Sequence, residues 1–104
     1  MKLTHANLKK AATEYLEAKG YLVCNFYAGG FQDKKGKWFP RKNTKGISDL
    51  ICCSPKTGHF FALEIKIGKD TCSPEQENFL KNVIACGGMA FIIYSIDDLI
   101  SWLE

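Results

Sequence analysis

Gly46-Ile-Ser-Asp-Leu-Ile-Cys-Cys53, Ser54-Pro-Lys-Thr-Gly-His59 and Phe60-Phe-Ala-Leu-Glu-Ile-Lys66 follow one another without a gap. Two apolar runs flank a Pro-Lys-Thr-Gly turn, the pattern of a β-hairpin. Side chains alternate across a strand. Phe60, Ala62, Glu64 and Lys66 therefore share one face, and Phe61, Leu63, Ile65 and Ile67 the other. Ile47, Asp49, Ile51 and Cys53 share a face of the first strand. No face is polar throughout, which predicts a sheet covered on both sides. A carboxylate on such a strand is costly unless it is paired. With Pro55 to Gly58 as the loop, Ser54 closes opposite His59, and counting outward sets Asp49 opposite Glu64. Directly opposed side chains lie about 4.5–5.5 Å apart at Cβ, and like charges there repel. Two apposed carboxylates with Lys66 alongside suit a divalent cation. A slip of one residue would move Asp49 to the other face. A solvated Glu-x-Lys edge pair is the plainer alternative.

Gly46-x-x-Asp49, Glu64-x-Lys66 and Ser73-x-x-Gln76 together resemble the VRR-NUC (virus-type replication-repair nuclease) family of the PD-(D/E)xK nuclease superfamily. The likeness spans nearly the whole chain. It implies a restriction-endonuclease-like α/β fold, α-β-β-β-α-β-α, with a mixed sheet flanked by helices, and residues 1–104 as one nuclease domain. It implies Mg²⁺ or Mn²⁺ held by Asp49, Glu64 and the backbone carbonyl of Ile65. Lys66 and Gln76 then complete the catalytic group, Gln76 positioning Lys66 or a metal-bound water. The activity implied is DNA endonuclease, structure-specific, with Holliday-junction resolution as its task. Two opposed cuts require two sites, hence a homodimer.

One position departs from the family pattern. Relatives carry an acid near the start of the first helix, and alignment on Tyr15-Leu16-x-x-x-Gly20 brings His5 there. His5 is a substitute metal ligand, a phosphate contact, or a half-exposed side chain at a fraying helix end. This departure motivates a second reading, a non-catalytic nucleic-acid-binding module on a nuclease fold. A third is a small interaction protein whose basic loop meets an acidic partner.

The 104 residues suit one modest core, and 46% hydrophobic content excludes a disordered chain. No apolar run approaches the ~18 residues of a membrane span, and Lys2, His5, Lys9 and Lys10 break up any signal-peptide core. The five cysteines are odd in number and contain no Cys-x-x-Cys, which points to a reducing, cytoplasmic setting, the host's if the gene is a phage's. Net charge is +3, unevenly spread. Six of the 14 basic residues (Lys34, Lys35, Lys37, Arg41, Lys42, Lys45) fall between 34 and 45 with no acid, leaving eight against 11 acids elsewhere. Trp38 and Phe39 sit among them. The cations neutralise phosphates and aromatic rings stack on unpaired bases. Phe31 to Lys45 reads as a polar, Gly-containing loop, with a short hairpin around Lys35-Gly36 as one reading. Either this loop grips DNA, ordering as it binds, or it is a solvated charged loop over a local aromatic cluster.

Capping signals set the remaining elements. Thr4 as N-cap and Gly20 past the end predict a helix over 5–18, with Leu8, Ala12, Tyr15, Leu16 and Lys19 inward and Glu14 and Glu17 outward. Tyr21 to Tyr27 reads as a strand. Ser73, Pro74 and Gln76 form a capping box ahead of a helix that ends at Gly87-Gly88, with Phe79, Leu80, Val83 and Ile84 inward. Gln76 caps the helix, faces the site, or does both. Met89 to Tyr94 reads as a central strand. Ser95 caps a last helix, Ile96 to Leu103, with Ile96, Leu99, Ile100 and Leu103 inward and Trp102 outward as a surface for a partner.

Overall fold

A computed structural model of the chain describes residues 3–25, 31–39 and 46–103. The elements run α1 (His5–Ala18), β1 (Leu22–Asn25), β2 (Phe31–Gln32), β3 (Trp38–Phe39), β4 (Leu50–Cys53), β5 (Phe60–Ile65), α2 (Pro74–Ala85), β6 (Met89–Ile93) and α3 (Ile96–Leu103). Four strands form one mixed sheet in the order β1-β4-β5-β6, with β2 and β3 as a separate two-stranded ribbon. β1, β4 and β5 are antiparallel in turn, and β6 joins β5 in parallel through the α2 crossover. The α-β-β-β-α-β-α core is the one expected from sequence.

Register follows from the turn. Ser54 N–H donates to the His59 carbonyl at 3.0 Å, closing the hairpin. Leu50 then pairs with Leu63 and Ile51 with Ala62, so one step further Asp49 stands opposite Glu64. Both faces of β5 are buried, as two-sided hydrophobicity required. On one face Leu8, Ala12 and Leu16 of α1 and Leu99 of α3 pack on Leu50, Cys52, Phe61, Leu63, Ile65 and Ile93. The other face is thinner. There Leu80 and Val83 of α2 cover Ala62, with Phe79, Cys72 and Ala90 at the margin. A short Ala62 on this face leaves room for the next residue on it, Glu64.

Helix ends fall where the caps put them. Thr4 Oγ1 accepts from Asn7 N–H at 3.1 Å. Ser73 Oγ accepts from Gln76 N–H, and Gln76 returns the bond to Ser73 N–H. Ser95 Oγ accepts from Asp98 N–H. The described cysteines are free thiols, and burial pushes Cys52 up to about 12.

Three expectations are corrected, the first being Lys19, expected inward but exposed just past the end of α1. Among the described residues β6 lies at the sheet edge, with α3 turned back over the face that α1 also covers. Ile84 is 58% exposed; it extends the Leu80 stripe past the edge of the sheet, where nothing lies beneath it. In the 31–39 segment the short hairpin around Lys35-Gly36 is present. Asp33 Oδ1 accepts from the N–H groups of Lys35 and Lys37, both at 2.9 Å, and fixes a hairpin turn between β2 and β3. An Asp in this role organises a turn through its own side chain, so Lys34, Lys35 and Lys37 ride on a formed ribbon. Of the expected 21–27 strand, residues 22–25 form β1, while Phe26 and Tyr27 lie outside the described residues.

Candidate active site

Asp49 lies one residue ahead of β4, and its carboxylate spans to the neighbouring strand β5. Oδ2 accepts from Ile65 N–H at 2.8 Å. The amide and carbonyl of one strand residue point to the same side. The Ile65 carbonyl therefore also points toward the Asp49 side. Lys66 N–H turns the other way, donating to the Ile93 carbonyl at 3.0 Å. Asp49 Oδ1 meets His5 Nε2 at 3.3 Å. The first residue of α1 thus reaches the site from the opposite layer. His5 therefore stands within reach of Asp49, at the position from which a substitute ligand or a phosphate contact would act. Ser48, fully buried, donates from Oγ to the Leu50 carbonyl at 2.9 Å and shapes the approach to Asp49.

Glu64 is 2% exposed. Its Oε1 accepts from Gln76 Nε2 at 3.4 Å, and its Oε2 is buried with no partner as a carboxylate. Burial pushes Glu64 up to about 8, helped by a hydrogen bond to Asp49 and by that neighbour's charge; Lys66 and Lys9 act the other way. Burial also works against Asp49, but hydrogen bonds from Glu64 and Ile65, with His5 beside it, outweigh that and hold it below its usual range. The pair carries one proton, kept by Glu64 and shared toward Asp49.

Gln76 ties this pair to Lys66. Its Oε1 accepts from Lys66 Nζ at 2.8 Å and from Ser73 N–H at 2.9 Å. Two donors on the oxygen fix the amide orientation and leave Nε2 facing Glu64. The capping role and the site role, alternatives from sequence, are filled together. α1 and α2 both start here, so two positive helix ends face the carboxylates.

Gly46 holds the segment against α2. Its φ is +80°, and a Cβ there would lie 2.4 Å from the Glu75 carbonyl oxygen. Both the left-handed backbone and the contact require glycine. Cys72 borders the group, its thiol raised above all by burial, and is a neutral neighbour.

A divalent cation fits this donor set. The orphaned Glu64 oxygen, the Asp49 carboxylate and the inward Ile65 carbonyl are all hard oxygen donors, and a cation would take the place of the shared proton. Among the described residues no three His, Cys, Asp or Glu side chains form a closed cluster. Few protein ligands with room for water suit Mg²⁺ or Mn²⁺ over zinc.

Of the residues singled out from sequence, Asp49, Glu64, Ile65, Lys66, Gln76 and His5 converge. Lys34, Lys35 and Lys37 are exposed on the β2–β3 turn. Trp38 is described only as part of β3, and Arg41, Lys42 and Lys45 lie outside the described residues. Ser48 and Lys9 were missed. Lys9 follows His5 by one helical turn, a spacing that sets both on one side of α1. Ser48 has no signal in sequence beyond adjoining Asp49. No described helix is long and apolar enough to cross a membrane.

A family model described as the VRR-NUC domain matches residues 6–97. A solved structure described as a VRR_NUC domain is similar in fold, with a TM-score of 0.70 at 22% identity, over 96% of this chain and 94% of its own. No curated protein matches the chain.

Proposed function

The chain belongs to the VRR-NUC family of nuclease domains, and on that footing we propose that it is a Mg²⁺- or Mn²⁺-dependent endodeoxyribonuclease, acting as a homodimer on branched DNA such as four-way junctions. Residues 1–104 would be a single nuclease domain working in a reducing cytoplasm. The observation that carries this reading is the convergence of Asp49 and Glu64 from adjacent strands beside the Lys66 ammonium, which Gln76 holds in place.

Asp49, Glu64 and the Ile65 carbonyl would hold the cation. When bound, it supplies Lewis-acid polarisation of the scissile phosphate and a more acidic water. Lys66 gives one of its three protons to Gln76 Oε1 and keeps two for the attacking water or a phosphate oxygen, where charge grows during the reaction. Gln76 keeps that ammonium from collapsing onto Glu64, since its own Nε2 occupies the Glu64 side. His5 orients Asp49 through Oδ1 and stands where relatives place an acid. The exposed Lys34, Lys35 and Lys37, with Trp38, Arg41, Lys42 and Lys45, would grip the DNA backbone without reading sequence.

Purified protein should nick a four-way junction with Mg²⁺ or Mn²⁺ and stop with EDTA or as Lys66→Ala. Undiminished cutting in either case refutes the reading. The His5–Asp49 contact favours one rival, a binding module whose acid is satisfied without metal. Titration calorimetry separates them, since that module binds DNA and takes up no Mn²⁺.

A further inference from the structure

A second hollow continues from the carboxylates along the same face of the sheet. Glu64, Ala62 and Phe60 alternate down that face of β5, and Phe60 is 43% exposed. On α2, Phe79 follows Gln76 by one helical turn. The two rings, with Ile51 and Val83, line a groove of about 570 Å³. That size is within the usual range of small-molecule sites, roughly 300–1,000 Å³.

The lining selects the kind of group that fits. Among the described residues around the groove there is no Lys, Arg, Asp or Glu, so a phosphate gains nothing there. His59 and Asn82, both exposed, supply a polar rim, and the Asn82 amide offers a donor and an acceptor. Apolar walls with such a rim suit a flat aromatic group whose edge makes hydrogen bonds, which describes a nucleobase. Gly88 keeps the stacking surface in place. A Cβ there would lie 2.9 Å from Val83 Cγ1 and 3.2 Å from Phe60 Cδ1, so glycine lets the Phe60 ring rest against the α2–β6 turn with its outer side open.

We infer that this groove takes an unpaired base of the strand being cut and stacks it on Phe60. This role rests on the nuclease reading above and deepens it, by giving the preference for branched DNA a physical cause. Bases of a linear duplex are stacked inside it and do not reach the groove, whereas those at a branch point or in a flap are free to enter. Continuity with the site selects DNA over other occupants. The groove opens on the face that carries Glu64, and its wall is α2, the helix that positions Lys66 through Gln76. At ~3.3 Å per residue, Phe60 is about 13 Å from Glu64 along β5. A stacked strand covers that distance in about four nucleotides and an extended one in about two. The base that enters therefore lies about two to four nucleotides from the cleaved phosphate. Aromatic stacking accepts any base, which agrees with a nuclease that grips the backbone without reading sequence.

Fluorescence anisotropy on the full chain tests this, with EDTA present so that no strand is cut. Flap DNA with an unpaired arm of about four nucleotides should bind wild type about ten-fold more tightly than linear duplex, the scale of one stacked base. Phe60→Ala should lose that preference and Phe60→Trp should keep it. Abasic residues placed singly along the arm should cost wild type the same factor at one position and cost Phe60→Ala nothing there, a coupling that a folding defect does not produce. Ile84→Ala, which removes an exposed apolar side chain elsewhere on α2, should keep the preference. If Phe60→Ala retains the full preference, or if no abasic position matters to wild type, the groove is no base site and is left to an apolar segment of a protein partner. Metal-dependent nicking that persists alongside either result overturns the groove alone. Protein that binds neither DNA overturns the groove and the nuclease reading together.

Discussion

Glu64→Gln should make the metal-free protein more stable at pH 8 and no more stable at pH 5. Folding raises the Glu64 pKa from 4.5 to about 8, so the folded chain holds this proton more tightly than the unfolded one. The sign follows from linkage: stability is full below the unfolded value and falls as pH rises through the window to about 8. One pKa unit is worth about 1.36 kcal/mol, so the whole window corresponds to roughly 5 kcal/mol. The glutamine amide keeps the shape, accepts from Gln76 and donates to Asp49, yet has no proton to lose. Asp49 does not blur the comparison. Its pKa is held down, so its contribution is lost only as pH falls through the acid range. In a domain of this size each kcal/mol moves Tm by about 4–8 °C. The variant should therefore melt roughly 20 °C above wild type at pH 8. Saturating Mn²⁺ should raise the wild-type Tm at pH 8 far more than at pH 5, and should barely move the variant. Thermal melts followed by circular dichroism from pH 5 to pH 8, with and without metal, read all of this. Parallel curves for the two proteins would refute the shared-proton account and with it the case for a cation in its place.

Gln76→Ala should lower kcat by about 10²-fold, the scale of a lost transition-state donor, while Mn²⁺ affinity by calorimetry changes only a few-fold. It should also cost about 1 kcal/mol in urea unfolding through the capping box. Gly46→Ala meets both a φ of +80° and the Glu75 carbonyl; it should destabilise by ~2 kcal/mol or more and reduce cleavage more than DNA binding. Leu16→Ala empties a fully buried position under the sheet and should cost about 2–5 kcal/mol in chemical denaturation. Replacing Lys34, Lys35 and Lys37 by alanine should weaken junction binding and flatten its log-log salt dependence by up to about 3, since each lost phosphate contact removes close to one released counterion. An unchanged slope would remove the ribbon from the DNA interface.

Local signals carried most of the architecture. Thr4, Ser73 and Ser95 announced their helices, because a capping hydroxyl acts within three residues and needs no tertiary context. The Asp49–Glu64 apposition was legible because Ser54 and His59 close a short loop, and register propagates from there along an alternating strand. What lay beyond was set by neighbours distant in sequence. Met89 to Ile93 is equally apolar whether flanked on one side or two, so its edge position left no mark on composition. Ile84 shares helical phase with Leu80 but projects past the sheet. The hairpin around Lys35-Gly36 was legible from its glycine, whereas the Asp33 side chain that orders its lysines was not. The two roles of Gln76 emerged together only when the Lys66 ammonium was found on the same oxygen that caps α2.

Among the described residues the two sides of the sheet are unequally padded, with ten buried residues in one cluster and three in the other. Lys66 takes its orientation from the thinly padded side, through Gln76. Catalytic competence is therefore moored to the layer that should lift away first when the protein breathes. Amide exchange in α2 should outpace that in β4 and β5, and modest warming should silence the enzyme well before its sheet comes apart.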